Sequence, residues 1–234
     1  QPKPIQSASG KFTVHQIPAA TDNVVWLIEY TPGRCAVVDG PSATEVLTYT
    51  QKHQLQITTI LNTHTHGDHI GINRALAKLG IAQSLRIIGA KKRENDVPFI
   101  TETVCDGDTV ELGELTGSAW LTEGHIDGHI CYLFEDFLFC GDTLFAGGCG
   151  YLFDGPPVKM YQSLQRLATL PDHTKVCCAH EYTQDNLRFA YSIEPNNQAL
   201  ITRMQRIWRL RNAGESSLPS SIKDEKETNP FIRV

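Results

Sequence analysis

The stretch Asn62–Gly71, NTHTHGDHIG, constrains this chain more than any other. Three of the nine histidines, His64, His66 and His69, and the aspartate Asp68 fall within six positions. A strand-like run, TTILN, precedes them, and a helical pattern with Ile72, Leu76 and Leu79 follows and stops at Gly80. A histidine-rich surface loop is the bland reading of such a run; a metal site is the reading its spacing favours. In an extended loop, residues two apart point the same way, so His64 and His66 can reach one ion. Asp68 and His69 lie at the mouth of the helix, turned toward a different point. A single catalytic metal usually takes three protein ligands and a water. Four ligands split between two directions therefore imply two ions and further ligands from elsewhere.

Three other places can supply them. EGHIDGH offers His125 and His129, FCGDT offers Asp142, and CCAHEY offers His180, the last two directly after strand-like runs. Gly124 and Gly128 argue that the first of these is a loop, where one histidine ligates and the other supports it. Taken singly, Asp142 reads as a turn residue and His180 as a core histidine. Taken together with the run at 64–69 they read as ligands, with the acidic group able to bridge two cations. Loops at strand ends suit such convergence, because the scaffold fixes them and leaves one face open. His15, His53 and His173 have no such company and read as surface or structural.

The rest of the chain is an ordinary soluble globular composition, 41% apolar and 20% charged over 234 residues. A net charge of −5 argues against a nucleic-acid footprint. No run of 18 apolar residues exists, so a membrane span is not expected. The seven cysteines are odd in number and form no C-x-x-C pair, which reads as buried, reduced thiols and a cytoplasmic setting. The chain begins at Gln1, so an organelle or a processed N terminus stays open.

Residues 1–10 are Pro/Ser/Gly-rich and read as a mobile lead-in. Strand-like runs follow at FTVHQI, VVWLIEY, CAVVDG, TTILN and RIIGA, with a helix over 43–54 capped by Ser42. A second strand set comprises DTVEL, GSAWLT, HICYLFED and FLFCGDT, then an amphipathic helix in VKMYQSLQRLATL and a strand in KVCCAHEY. From about 184 the texture turns helical, with Leu200, Met204, Ile207 and Leu210 in one stripe. The charge run in SSIKDEKETNPFIRV reads as solvated surface.

Taken as a set, THTHGDH, GHIDGHICY, FCGDTLFAGGCG and CAHEYT resemble the metallo-β-lactamase superfamily, and more narrowly glyoxalase II, the hydroxyacylglutathione hydrolases. The likeness runs from about Thr21 to Val234. It implies an α/β (α+β) fold, a four-layer αββα sandwich at 11–182 followed by a small α-helical domain at 183–234. It implies that His64, His66 and His125 bind one metal, that Asp68, His69 and His180 bind a second, and that Asp142 bridges both. Asp68 and Asp142 are then the catalytic carboxylates, with Asp39 and His129 supporting the ligands from behind. The implied cofactors are two divalent ions, zinc first, with iron or manganese also suited. The implied reaction is hydrolysis of S-D-lactoylglutathione by a monomer, with Tyr182 contacting glutathione. The family usually has Lys or Arg after GGCG, where this chain has Tyr151, and often an aromatic hydroxyl where it has Phe153. Fuller members also continue past NPFIRV into a basic stretch, so the helical domain is expected to be either truncated or a short form with altered thiol preference. Another acyl thioester or a lactone is the competing substrate class.

Overall fold

The computed structural model describes residues 2–233. Its first half builds one mixed sheet. β1 (Ile5–Gln6), β2 (Thr13–Ala19), β3 (Asn23–Thr31) and β4 (Arg34–Val38) pair antiparallel with one another in succession. The chain then crosses through α1 (Thr44–His53) to β5 (Gln56–Leu61) and through α2 (Gly67–Lys78) to β6 (Arg86–Ala90). β7 (Glu102–Val104) completes the sheet, and the β4–β5, β5–β6 and β6–β7 pairs are parallel. Parallel neighbours need such crossovers, because a tight turn only joins antiparallel strands.

A second sheet follows. β8 (Thr109–Leu112), β9 (Leu115–Leu121), β10 (Ile130–Phe134) and β11 (Phe137–Gly141) form an antiparallel meander. A small hairpin, β12 (Leu144–Phe145) and β13 (Gly148–Cys149), leads into α3 (Pro157–Ala168). β14 (Lys175–Cys178) then returns parallel to β11. The remaining chain forms α4 (Thr183–Ile193), α5 (Gln198–Asn212), β15 (Ser220–Ser221) and α6 (Ile222–Thr228), and β15 adds to the second sheet beside β14.

The layers follow from side-chain alternation along strands. In β3, Trp26 and Ile28 join Leu61, Ile88, Tyr132, Phe139 and Val176 in one cluster drawn from both sheets. Val25 and Leu27 point the other way, into a cluster with Val37, Ile60, Val46 of α1 and Ile72 and Leu76 of α2. Strands buried on both faces read as unbroken apolar runs, as VVWLI does. Met160, Leu164 and Leu167 of α3 pack into the cluster that holds the second sheet. The order helix, sheet, sheet, helix is the αββα sandwich. Leu187 and Ala190 of α4 and Leu200 and Ile207 of α5 make a third, smaller cluster.

Four details differ from the sequence reading. Part of the presumed lead-in is paired, Ile5 and Gln6 lying opposite Val14 and Thr13. α1 is capped at Ala43 rather than Ser42, whose hydroxyl instead donates to Glu45 Oε2 at 2.6 Å. α2 starts at Gly67, inside the histidine run, five residues before the apolar spacing begins at Ile72. The terminal charge run is not all solvated, because it folds as α6 with Ile222, Glu225 and Thr228 buried. Of the seven cysteines, all are free thiols and five are buried, with Cys105 exposed and Cys149 half-buried. Among the described residues, no helix is long and apolar enough to cross a membrane.

Candidate metal centre

The histidine run sits where β5 ends and α2 begins. His66 is extended, at φ −66° and ψ 151°, and is the residue before the helix. Asp68 and His69 belong to the first helical turn, where an acidic side chain also complements the helix dipole. That change from extended to helical backbone turns the pair 64/66 and the pair 68/69 in different directions. His125 and His129 lie in the loop between β9 and β10, Asp142 follows β11 directly, and His180 follows β14. Asp39 follows β4 in the left-handed region, at φ +56°.

All seven residues expected to ligate metal converge. His64, His66, His125 and Asp142 offer ligand atoms within 4.8 Å of one another, and Asp68, His69 and His180 form a second such group. His66 Nδ1 lies 3.1 Å from His64 Nε2 and 3.0 Å from His125 Nε2. Asp68 Oδ2 lies 3.4 Å from His69 Nε2 and 3.2 Å from His180 Nε2. Asp142 stands between the groups. Its Oδ2 is 3.5 Å from His125 Nε2 and 4.0 Å from His64 Nε2, whereas its Oδ1 is 3.5 Å from His69 Nε2 and 3.6 Å from His180 Nε2.

Four ring nitrogens that face away from the centre are held by other groups, which fixes those rings and their tautomers. His69 Nδ1 bonds Asp39 Oδ2 at 2.9 Å, His125 Nδ1 the Tyr151 carbonyl at 2.7 Å, and His180 Nδ1 Asp22 Oδ1 at 2.7 Å. His64 Nδ1 pairs with the Thr63 hydroxyl at 3.0 Å. Asp39 could close a third group with His64 and His69. Its oxygens, however, already accept from the Thr63 amide at 2.8 Å and the Thr63 hydroxyl at 2.7 Å, so it buttresses rather than faces the centre. His129 is buried, stacks on His64 at 4.9 Å and takes the Asp142 amide on Nε2 at 3.2 Å. Sequence reasoning missed Asp22 and also Asn23, whose amide donates to Asp68 Oδ2 at 3.0 Å. Their TDN sequence reads only as a turn, and no local signal ties it to His180.

The charges suit cations. Burial, reinforced by His69 and other neighbouring imidazoles, holds His64 well below its ordinary value, and burial likewise lowers His66, His125 and His129. Those rings are neutral, with lone pairs to offer. The imidazoles of His180 and then His69 beside it keep the Asp68 carboxyl far below the usual carboxylate range. Burial opposes ionisation of Asp142, but His69 outweighs it and brings the carboxyl to about 2. Burial works against a proton on His69 and on His180; the carboxylates of Asp142 and Asp39 for the first, and of Asp68 for the second, outweigh it and raise both. Of the five buried side-chain atoms without a hydrogen-bond partner among the described residues, two, His69 Nε2 and Asp142 Oδ1, lie in this centre. Unpartnered buried donors and acceptors are rare, and a cation among these carboxylates would satisfy both. The donor set therefore fits divalent metals.

The rim is aromatic. Tyr182 stacks on His180 at 4.8 Å, and Phe153 meets His66 and His125 edge-on at 5.1 and 5.3 Å. Tyr151 lies edge-on to Phe153 at 4.9 Å, and the two are 74% and 60% exposed.

Sandwich and double cluster together define a metallo-β-lactamase superfamily protein, and that superfamily's model matches residues 20–180. A second model, the hydroxyacylglutathione hydrolase C-terminus, matches residues 181–234. Proteins named hydroxyacylglutathione hydrolase from Aliivibrio fischeri (strain MJ11) and Aeromonas salmonicida (strain A449) are 42% and 45% identical, each over 95% of this chain and over 87% and 86% of their own lengths. This chain belongs to the hydroxyacylglutathione hydrolase family. Among solved structures, ETHE1 from Myxococcus xanthus is similar with a TM-score of 0.68 at 26% identity, over 93% of this chain and 83% of that one. The BLEG-1 B3 metallo-β-lactamase shares the fold with a TM-score of 0.70 at 21% identity, over 94% and 100%.

Proposed function

We propose that the chain hydrolyses S-D-lactoylglutathione to D-lactate and glutathione at a site holding two divalent cations. One observation carries the reading: Asp142 presents one oxygen to each of two donor groups, in a chain 42% identical to a protein named hydroxyacylglutathione hydrolase. The proposed ligands are His64, His66 and His125 for the first cation, Asp68, His69 and His180 for the second, and Asp142 for both. Zinc is the proposed metal, with iron and manganese also suited to these donors.

When bound, such cations supply an acidified water and a polarised carbonyl. The chain's own residues do the rest. Asp68 and Asp142 remain ionised and set the charge of the site. Asp39, Thr63, Asp22 and the Tyr151 carbonyl hold the imidazoles in the orientation their role needs. Tyr182, Tyr151 and Phe153 line the rim against which the thioester is placed. The water oxygen adds to the acyl carbon, the C–S bond breaks, and sulfur leaves as a thiolate. A thiol has a pKa of about 8.5, so that departure needs no strong acid. No cysteine nucleophile is required, and burial pushes the nearby Cys149 thiol up to about 11.

The proposal includes a catalytic unit at 11–182 and a helical substrate-binding unit at 183–234, a monomeric state, and a cytoplasmic setting suited to five buried thiols. Neither nucleic acid nor membrane is a proposed partner. The second reading, another acyl thioester or a lactone, draws support from the rim. Tyr151 also lines an apolar cavity of about 650 Å³ with Leu152, Met160, Tyr161 and Phe231, a wall suited to a group less charged than glutathione. Kinetics on S-D-lactoylglutathione and on other acyl thioesters, with metal analysis of the same preparation, test both. The first reading expects about two metals per chain and a clear preference for the glutathione ester; equal rates on all esters favour the second.

A further inference from the structure

A buried ionic cluster lies outside the candidate metal centre, and no step above uses it. Arg203 of α5 is 4% exposed and Glu225 of α6 is 0% exposed. Arg203 Nη2 donates to Glu225 Oε1 at 2.6 Å and to Ser220 Oγ at 2.8 Å, while Nη1 donates to Thr228 Oγ1 at 2.6 Å. The Ser220 hydroxyl also donates to Glu225 Oε1. The second carboxylate oxygen faces elsewhere. Glu225 Oε2 accepts from the Gly147 amide at 2.8 Å and from Asn229 Nδ2 at 2.9 Å, and Asn229 Nδ2 also donates to the Gly148 carbonyl at 3.0 Å.

Gly147 and Gly148 lie at the turn of the β12–β13 hairpin. The hairpin starts two residues after Asp142 and ends two residues before Tyr151, whose carbonyl fixes His125. Helix α4 closes its other side. Asn186 Nδ2 donates to the Ala146 carbonyl at 3.2 Å, and a Cβ on Gly148 would meet Asn186 Cγ at 2.7 Å. Phe145 of the same hairpin packs edge-on against His180 at 5.9 Å and Tyr182 at 5.3 Å.

Stability alone does not account for this pair. Apolar residues of similar volume commonly replace a buried ion pair at no cost in stability. What an apolar pair cannot supply is an acceptor for the Gly147 amide. We infer that Glu225 is a positioning residue: it holds Gly147, and through the hairpin it sets where the Asp142 carboxylate and the Tyr151 carbonyl stand. The activity part of this inference rests on the thioesterase reading.

Two variants of the full chain separate the roles. Arg203→Met/Glu225→Leu removes the charge pair together with the acceptor. Glu225→Gln keeps an oxygen for Gly147 but leaves Arg203 without its partner. The double variant is expected to unfold within a few degrees of wild type. It should lose about tenfold in kcat per metal-loaded chain with KM changed less than about twofold, since small misplacements in a site cost rate. Its Gly147 amide should exchange about 100-fold faster or more. Glu225→Gln should unfold at a lower temperature yet keep at least about half of kcat, a split that a purely structural role would not produce.

Wild-type kcat in the double variant overturns the inference, as does a loss in Glu225→Gln as deep as in the double. Should the double variant not fold, Glu225→Gln alone decides: kcat per folded chain falling in step with stability sinks the idea. If wild type cleaves no acyl thioester, the functional reading is what fails. Hairpin exchange and metal retention in the variants then still decide whether Glu225 holds the hairpin.

Discussion

Asp22 supplies what His180 cannot supply for itself. Its Oδ1 takes His180 Nδ1 at 2.7 Å, so Nε2 is left to face Asp68 and Asp142. Loss of such a support typically costs 10–100-fold in metal affinity or activity. Asp22→Ala is therefore expected to weaken metal retention against a chelator by about that factor, whereas Asp22→Asn, which keeps an acceptor oxygen, loses less. Equal retention in both variants and wild type would remove Asp22 from the site. Elsewhere, a buried His15 bonds Tyr49 Oη at 2.9 Å and Glu29 Oε2 at 3.0 Å. Burial lowers its pKa and outweighs the opposing pull of Glu29. The unfolded chain then binds a proton more readily than the folded one, starting near the ordinary value of about 6.5. The stability of the neutral, buried ring is full above that pH and is lost as pH falls toward the folded value. The expected outcome is a wild-type advantage over His15→Gln in unfolding temperature that shrinks from about pH 8 to about pH 5. An advantage that stays constant with pH would contradict it.

Helix α2 carries two of the proposed ligands, and its position depends on one glycine. The Gly40 amide donates to the His69 carbonyl at 2.9 Å, and the Ile72 amide donates to the Gly40 carbonyl at 2.9 Å. A Cβ on Gly71 would stand 2.2 Å from the Pro41 carbonyl oxygen. Gly71→Ala forces the helix away from that backbone, with an expected cost of about 1–3 kcal/mol in denaturant unfolding. Asp68 and His69 move with it, so the bound-metal count should fall from two toward one. An alanine variant with two metals and wild-type stability would show that the contact is dispensable. How much of such an element is legible depends on how local its causes are. The ligand run is local and speaks for itself in THTHGDH. The start of α2 at Gly67 is less so, because apolar spacing begins only at Ile72 and the earlier turn is fixed by its docking on Gly40 and Pro41. The charge run at 223–227 misleads for the same reason. Glu225 reads as solvent-exposed until Arg203, on another helix, comes to meet it. Asp22 lies 158 positions from His180, and no spacing rule spans that distance.

At the scale of the molecule, each donor group draws on both sheets. His64, His66, Asp68 and His69 extend from the first sheet, and His125, Asp142 and His180 extend from the second. The two sheets are otherwise joined by the apolar layer between them and by bonds such as Trp26 Nε1 to the Cys178 carbonyl at 2.9 Å. The αββα order was readable from strand and helix patterns only through the family likeness, since two strand blocks in sequence do not say which faces meet. With the layers known, a consequence for stability follows. Cations that bind the folded chain, and not the unfolded one, stabilise it by RT ln(1 + [M]/Kd), on the order of 4 kcal/mol at a thousandfold excess over Kd. For a chain of this size that is a rise of roughly 10 °C in unfolding temperature. Chelation should lower the midpoint by that order and abolish thioester hydrolysis, and returning zinc should restore both together. The carboxylates explain why the effect belongs to the whole molecule. Without a cation, Asp39, Asp68 and Asp142 lean on protons held by His69 and His180, and those protons are lost as pH rises. The gap in unfolding temperature between metal-loaded and chelated protein should therefore widen toward alkaline pH. A chelated protein that unfolds at the metal-loaded temperature would show that the two sheets do not depend on the centre between them.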